Sequence, residues 1–250
     1  MFELNEATLH YSNGRDQANS APALQNINLT IQTGEHVCLL GASGAGKSSL
    51  LGLLNGRLIP SSGSVAYDGE SLQTMSVKRL RSNRGHMAWI PQDLGLVPSL
   101  RVNHNVSSGQ IAIKGFWGLL RSLVWMSRTE KAEIHALLQQ VGIPDKLFTR
   151  VDQLSGGQQQ RVAIARALYQ QPKVILADEP ISAVDPARAE DLLKLLTQLA
   201  REANITLVMS LHDAPLARHF FGRLVGLREG RIVHDGEVTD AELQQLYRLS

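Results

Sequence analysis

The chain is 250 residues long, 43% hydrophobic and 19% charged, enough apolar material to bury a full core in one large globular domain. Its 25 basic and 23 acidic residues leave a formal charge of +2, too balanced to form a nucleic-acid surface, so no nucleic acid is expected as a partner. The opening residues Met1 to Glu6 lack the basic and apolar regions of a secretory leader, no apolar run approaches the ~20 residues of a membrane span, and the single cysteine excludes disulfides and a cysteine metal site, so a cytosolic protein is expected.

Phe2 to Leu9 and Leu24 to Ile31 read as strands of an antiparallel N-terminal part, with a polar loop containing Asn13-Gly14 between them. Tyr11 ends the first of them; its spacing suits a packing residue, while its place before the loop also suits a ring stacked on a flat base. His36 to Leu40 is an apolar run of buried-strand type in which Cys38 is a small hydrophobe. It leads into Gly41-Ala42-Ser43-Gly44-Ala45-Gly46-Lys47-Ser48, the Gly-x-x-x-x-Gly-Lys-Ser spacing of a phosphate-cradling loop, and then into a helix from Ser49. The glycines let backbone N–H groups approach phosphate oxygens, the helix aims its positive end at them, Lys47 adds a point charge, and Ser48 offers a hydroxyl to Mg²⁺.

Gly63 to Gly69 reads as a short strand closed by an Asp-Gly turn, and 76–84 as a helix whose Lys78, Arg79, Arg81 and Arg84 form a solvated face. His86 to Ile90 is another strand, which leaves Gln92 at a strand end, where open α/β sheets hold ligands. From about 102 to 141 the pattern is helical; Trp117 and Trp125 within it read as core or subdomain packing, with a docking surface for a partner as the alternative. Gly142-Ile143-Pro144 breaks that pattern, so 94–160 is expected to form a mainly helical subdomain inserted in a single domain spanning 1–250. Ser155 suits the N-cap of the next helix, but a cap does not explain Gly156 and Gly157 behind it. Val174 to Asp178 reads as a central strand of a parallel sheet, and Asp178 with Glu179 at its end is costly unless a cation or a proton needs the pair. Asp185-Pro186 opens a helix to about Arg201 as N-cap and first residue. Ile205 to Leu211 is a further buried strand ending at His212-Asp213, a position that suits a structural or a phosphate-facing histidine. A hairpin over 222–234 and a short helix close the chain.

Taken in order, Tyr11, Gly41 to Ser48, Gln92, Leu154-Ser155-Gly156-Gly157-Gln158, Asp178-Glu179 and His212 make the chain resemble the ATP-binding subunit of an ABC transporter over nearly its whole length. The resemblance implies an α/β fold of the P-loop ATPase type: a mainly parallel sheet core, an antiparallel N-terminal β part and the inserted helical subdomain. It implies ATP and Mg²⁺ as the cofactors. Tyr11 would stack on adenine, Gly41 through Ser49 would cradle the phosphates, and Ser48, Gln92 and Asp178 would hold Mg²⁺. Glu179 would polarise the attacking water, Gln92 would touch that water too, and His212 would sense the γ-phosphate. Ser155, Gly156, Gly157 and Gln158 would contact the nucleotide of a second copy, and Asp185, in Ser182-Ala183-Val184-Asp185, would carry information across that homodimer.

Closer similarity is to importers of phosphonates and related phosphorus oxyanions, carried by Trp89 to Pro98, Leu154 to Arg166, Ala177 to Ile181, Ser210 to His212 and Val225 to Val233, with Asp213 where glutamine is expected. Such a subunit sits peripherally on the cytoplasmic face of the bacterial inner membrane. Its closure pulls two transmembrane permease subunits together, and the solute is selected by the permease and a periplasmic binding protein. A permease helix would dock near Gln92 and Leu96 to Leu100. Two alternatives stand beside this one: a soluble ABC ATPase on a multi-enzyme phosphonate-degrading complex, and an importer ATPase for another solute.

Overall fold

A computed structural model describes residues 1–11, 21–113, 115, 125–181 and 186–237. Two compact units emerge, one built from Met1–Leu80 and the chain from Thr206 onward, the other from Arg81–Ile205.

In the first unit, β1 (Phe2–Leu9) and β2 (Leu24–Ile31) pair antiparallel with Phe2 opposite Ile31 and Leu4 opposite Leu29. Alternate side chains of each strand are buried, as a sheet with one wet face requires. On the other side of β1 lies β4 (Ser62–Tyr67), followed by the short β5 (Glu70–Ser71), giving the order β2-β1-β4-β5. Asp68 and Gly69 between them take φ of 50° and 79°, the paired positive values that a two-residue hairpin loop needs.

The same unit holds β3 (His36–Leu40), flanked by β8 (Thr206–Ser210) and β9 (Arg223–Arg228), both parallel to it, with β10 (Arg231–Gly236) antiparallel on the outer side of β9. All of β8 and Val37 through Leu40 of β3 are buried, so these strands are continuous apolar runs rather than alternating ones. Cys38 is fully buried, and burial pushes its thiol up, confirming a small core hydrophobe. Helix α1 (Lys47–Leu54) buries Leu50, Leu51, Leu53 and Leu54, each contributing roughly 1.5–3 kcal/mol. Arg223 at the start of β9 donates to both carboxylate oxygens of Asp235, at 2.6 and 2.7 Å, to Glu35 at 2.8 Å and to the Thr30 carbonyl at 2.9 Å, which ties the unit's two sheets together.

Helix α2 (Val77–Arg84) carries the chain across Leu80 and has no buried residue, as its run of basic side chains predicts. Arg79 pairs with Glu70 at 2.6 Å.

In the second unit, β6 (Met87–Ile90) and β7 (Val174–Asp178) pair in parallel, with Met87 opposite Val174 and Ile90 opposite Ala177. The helical stretch is broken up: α3 (Val102–Ser107) and a 3-10 turn at Ser108–Gln110 come first, and α4 (Arg128–Gln140) begins at a Ser127–Glu130 capping box. Helix α5 (Gly156–Tyr169) packs against α3 and α4. Helix α6 (Pro186–Glu202) opens with proline at its first position, where the missing N–H costs nothing. Trp125 corrects the sequence expectation: it is 77% exposed rather than packed in a core. Trp117, Asp185 with the rest of 182–185, and the expected closing helix lie outside the described residues. Among the described residues no helix is long and apolar enough to cross a membrane.

Candidate functional site

The phosphate-loop pattern sits where its chemistry requires, between β3 and α1. Gly41 takes φ of 150°, and a Cβ there would lie 2.3 Å from the Leu227 carbonyl of the neighbouring strand, so only glycine fits. Gly44 also has positive φ, at 80°, yet an added Cβ would meet nothing within 4 Å. One glycine therefore serves packing inside the protein, and the other leaves room for something outside it.

Lys47 is 4% exposed and its ammonium donates to the carbonyls of Gly41 at 2.8 Å and Ala42 at 3.1 Å, so a positive charge is held under the loop by the loop itself. Ala45 and Ser49 are buried, Ala42 and Gly46 half-buried, and Ser43, Gly44 and Ser48 exposed. This leaves the Ser48 hydroxyl accessible at the first turn of α1. Tyr11 is 53% exposed, which corrects the packing reading; β1 has already ended at Leu9. Its hydroxyl is 2.9 Å from the Ser49 Oγ, so the side chain is tethered to the start of α1.

His212 follows β8, and the parallel register sets Ser210 beside Leu39, with the Leu211 N–H bonded to the Leu39 carbonyl at 3.1 Å. The histidine thus leaves its strand at the same end at which β3 enters the phosphate loop, and it is exposed. Asp213 next to it is the N-cap of α7 (Ala214–Phe220), accepting from the Leu216 N–H at 2.8 Å. That cap is a physical reason for a carboxylate where the resemblance leads one to expect glutamine.

In the second unit the parallel pairing of β6 with β7 brings Gln92 and the pair Asp178-Glu179 to the same strand ends. Gln92 is exposed, Asp178 is 8% exposed and Glu179 is half-buried. Glu179 has φ of 47° and precedes Pro180, although the residue before a proline is normally extended. A left-handed non-glycine residue at that spot costs roughly 1–3 kcal/mol.

Ser155 forms a full capping box at the start of α5: its Oγ accepts from the Gln158 N–H at 3.4 Å, and the Gln158 Oε1 accepts from the Ser155 N–H at 3.0 Å. Gly156 and Gly157 have no positive φ, and a Cβ on either would meet nothing within 4 Å. Neither backbone conformation nor internal packing requires glycine there, at a cost of roughly 1 kcal/mol each within a helix. One residue that the sequence did not single out belongs with these: Arg166 of α5 bonds the carbonyls of Leu94 and Gly95, just past Gln92. Its signal was a charged side chain among the apolar positions Val162, Ala163, Ala165 and Ala167.

Among the described residues no group of three or more His, Cys, Asp or Glu side chains is placed to hold a metal. Within the second unit, the exposed amide of Gln92 and the buried carboxylate of Asp178 are oxygen donors of the type a hard cation takes.

The family profile described as ABC transporter matches residues 24–182. The phosphonates import ATP-binding protein PhnC of Thiobacillus denitrificans is 44% identical over 229 residues, covering 91% of this chain and 86% of its own. That of Pseudomonas fluorescens is 43% identical, with 98% and 91% covered. The hypophosphite import ATP-binding protein HtxD of Stutzerimonas stutzeri is 42% identical over 90% of this chain and 67% of its own. Among solved structures, the dimeric post-hydrolysis state of the ATP-binding cassette MJ0796 bound to ADP and Pi superposes with a TM-score of 0.81 at 30% identity, covering 96% of this chain and 99% of that one. CbiO1 of Clostridium perfringens, part of the transporter complex cbiONQ, gives 0.80 at 28% identity, with 98% and 92% covered. A phosphate loop between β3 and α1, paired acids at the end of β7 and a capped, glycine-opened α5 agree with these likenesses: the chain belongs to the ABC transporter family, as one of its ATP-binding cassettes.

Proposed function

We propose that this chain is the ATP-hydrolysing subunit of an importer for phosphonates or related phosphorus oxyanions, working peripherally on the cytoplasmic face of the bacterial inner membrane. The observation that carries the solute class is similarity above 40% identity, over 90% or more of the chain, to import proteins named for phosphonates and for hypophosphite.

Phosphoryl transfer leaves a protein little covalent work, so the residues act by placement and charge. Tyr11, exposed beside the start of α1, stacks on adenine, and the N–H groups of 41–49 with Lys47 neutralise the phosphates. Ser48, Gln92 and Asp178 would hold Mg²⁺, which would supply neutralisation of the phosphate charge. Glu179 orients and polarises the water that attacks the γ-phosphorus, with Gln92 as its second contact and His212 as a donor to the γ-phosphate. Ser155, Gly156, Gly157 and Gln158 serve the nucleotide of a second copy; the unfilled space at both glycines supports a ligand arriving from outside the chain. Asp185 relays that contact across the homodimer. Closure of two copies on ATP would be transmitted to permease subunits docked near Gln92 and Leu96 to Leu100, a stretch in which Val97 is 47% exposed. A periplasmic binding protein and the permease would choose the solute.

The test is reconstitution with the candidate permease in vesicles. A phosphonate-loaded binding protein should raise the rate of ATP hydrolysis several-fold over the empty one. Stimulation by an unrelated solute alone would replace the solute assignment, and failure to associate with any permease would remove the transport role.

A further inference from the structure

Past Gln92 the chain does something unusual. Leu94 and Gly95 are consecutive left-handed residues, with φ of 61° and 54°, in a tight reversal in which the Leu94 N–H bonds the Pro91 carbonyl at 2.9 Å and the Gly95 N–H bonds the Asp93 carboxylate at 3.1 Å. A leucine rarely adopts this conformation unless its surroundings impose it. The two carbonyls are gathered by one guanidinium: Arg166 donates Nη2 to Leu94 and Nη1 to Gly95, each at 2.6 Å.

That clasp is built from below. The backbone of Arg166 is fixed inside α5, and Gly109 in the 3-10 turn lies so close that a Cβ there would stand 2.4 Å from the Arg166 carbonyl. Desolvation disfavours the guanidinium charge, while the charge of Asp93 favours it. Leu94 is half-buried and Gly95 exposed, so water could have satisfied the Gly95 carbonyl. A half-buried cation that spends two donors on a surface loop therefore orders the loop rather than completing the core. The planar fork is the group suited to it, because two bonds fix both position and orientation and a lysine supplies one point contact. Ten residues earlier the same rigid helix begins at Gly156, about 15 Å away along its axis.

We propose that Arg166 is a positioning residue for ATP hydrolysis, its guanidinium fastening the Gln92 loop to helix α5 so that Gln92 and the Ser155-Gly156-Gly157 helix start move as one body. This rests on the roles given above to Gln92 and to the helix start.

The test uses the full chain with Mg·ATP. Arg166→Met keeps the stem and removes the fork; its kcat should fall at least about tenfold while ATP affinity stays within about twofold. In the double variant with Gln92→Ala the loss should not exceed that of Gln92→Ala alone, because Arg166 acts through Gln92. Losses that multiply, or a fall in affinity matching the fall in kcat, would overturn the proposal. Gln92→Ala at full activity would instead remove the role of Gln92, and that result is read from a variant that leaves Arg166 untouched. Should Arg166→Met not fold, Arg166→Lys is followed by amide hydrogen exchange: faster exchange over 92–96 with α5 still protected is the expected result, and unchanged exchange over 92–96 counts against the clasp.

Discussion

The roles of single residues divide by what each touches. Lys47 is buried and bonded to the carbonyls of its own loop, so its charge is already desolvated and aimed before a phosphate arrives. Lys47→Ala should cost at least about a hundredfold in ATP affinity, read by titration with a fluorescent nucleotide, because charge-assisted phosphate contacts have no substitute there. Wild-type affinity would mean that the cradle lies elsewhere. Gly41 and Gly44 make a sharper pair. Gly41→Ala drives a Cβ into the Leu227 carbonyl and should lower unfolding free energy by roughly 2–3 kcal/mol, whereas Gly44→Ala meets no atom and pays only for its backbone angle, roughly 1–2 kcal/mol. Urea unfolding of the two variants measures the difference. Equal losses would show that the close approach of β9 to the loop does not set the requirement at Gly41.

At the scale of elements, the start of α5 carries two demands that mutation can separate. Ser155→Ala removes the cap and should cost about 1 kcal/mol of stability whatever else it does. At Gly157 an added Cβ meets no neighbour within 4 Å, so Gly157→Val should leave stability within about 0.5 kcal/mol, yet hydrolysis should fall at least about tenfold if a second copy's nucleotide must approach that backbone. A Gly157→Val protein with full turnover would remove the contact. The contrast also shows what was legible in the sequence. The phosphate loop, the cap at Ser155 and the acids ending β7 are contiguous signals whose chemistry is local, and they were readable from residue types and spacing. The Arg166 clasp joins residues separated by 71 and 72 positions, and the two left-handed residues it binds depend on that partner. Trp125 misled for the opposite reason: an apolar run at helical spacing predicts burial, but only tertiary packing decides which of its members is left in water.

For the molecule as a whole, the proposed function turns on a second copy of the chain. The open glycines of α5, where an added Cβ meets nothing within 4 Å, leave the room that the proposed homodimer needs for its partner's nucleotide. In that proposed arrangement ATP bound between two copies would add its contacts to both, so by mass action it would stabilise the dimer until hydrolysis removes the γ-phosphate. Glu179→Gln tests this directly. The amide keeps the shape of the side chain and loses the charge that polarises water, so ATP should bind with near-normal affinity while turnover falls by at least about a hundredfold. Under saturating Mg·ATP the variant should accumulate as a dimer in size-exclusion chromatography, and the wild type should return to its nucleotide-free state as ATP is consumed. Adding a chelator of Mg²⁺ should prevent hydrolysis in the wild type without any change in sequence, which separates loss of the metal from loss of the base. A Glu179→Gln chain that stays monomeric with ATP bound would break the link between the γ-phosphate and closure, and with it the means by which this subunit could drive a permease.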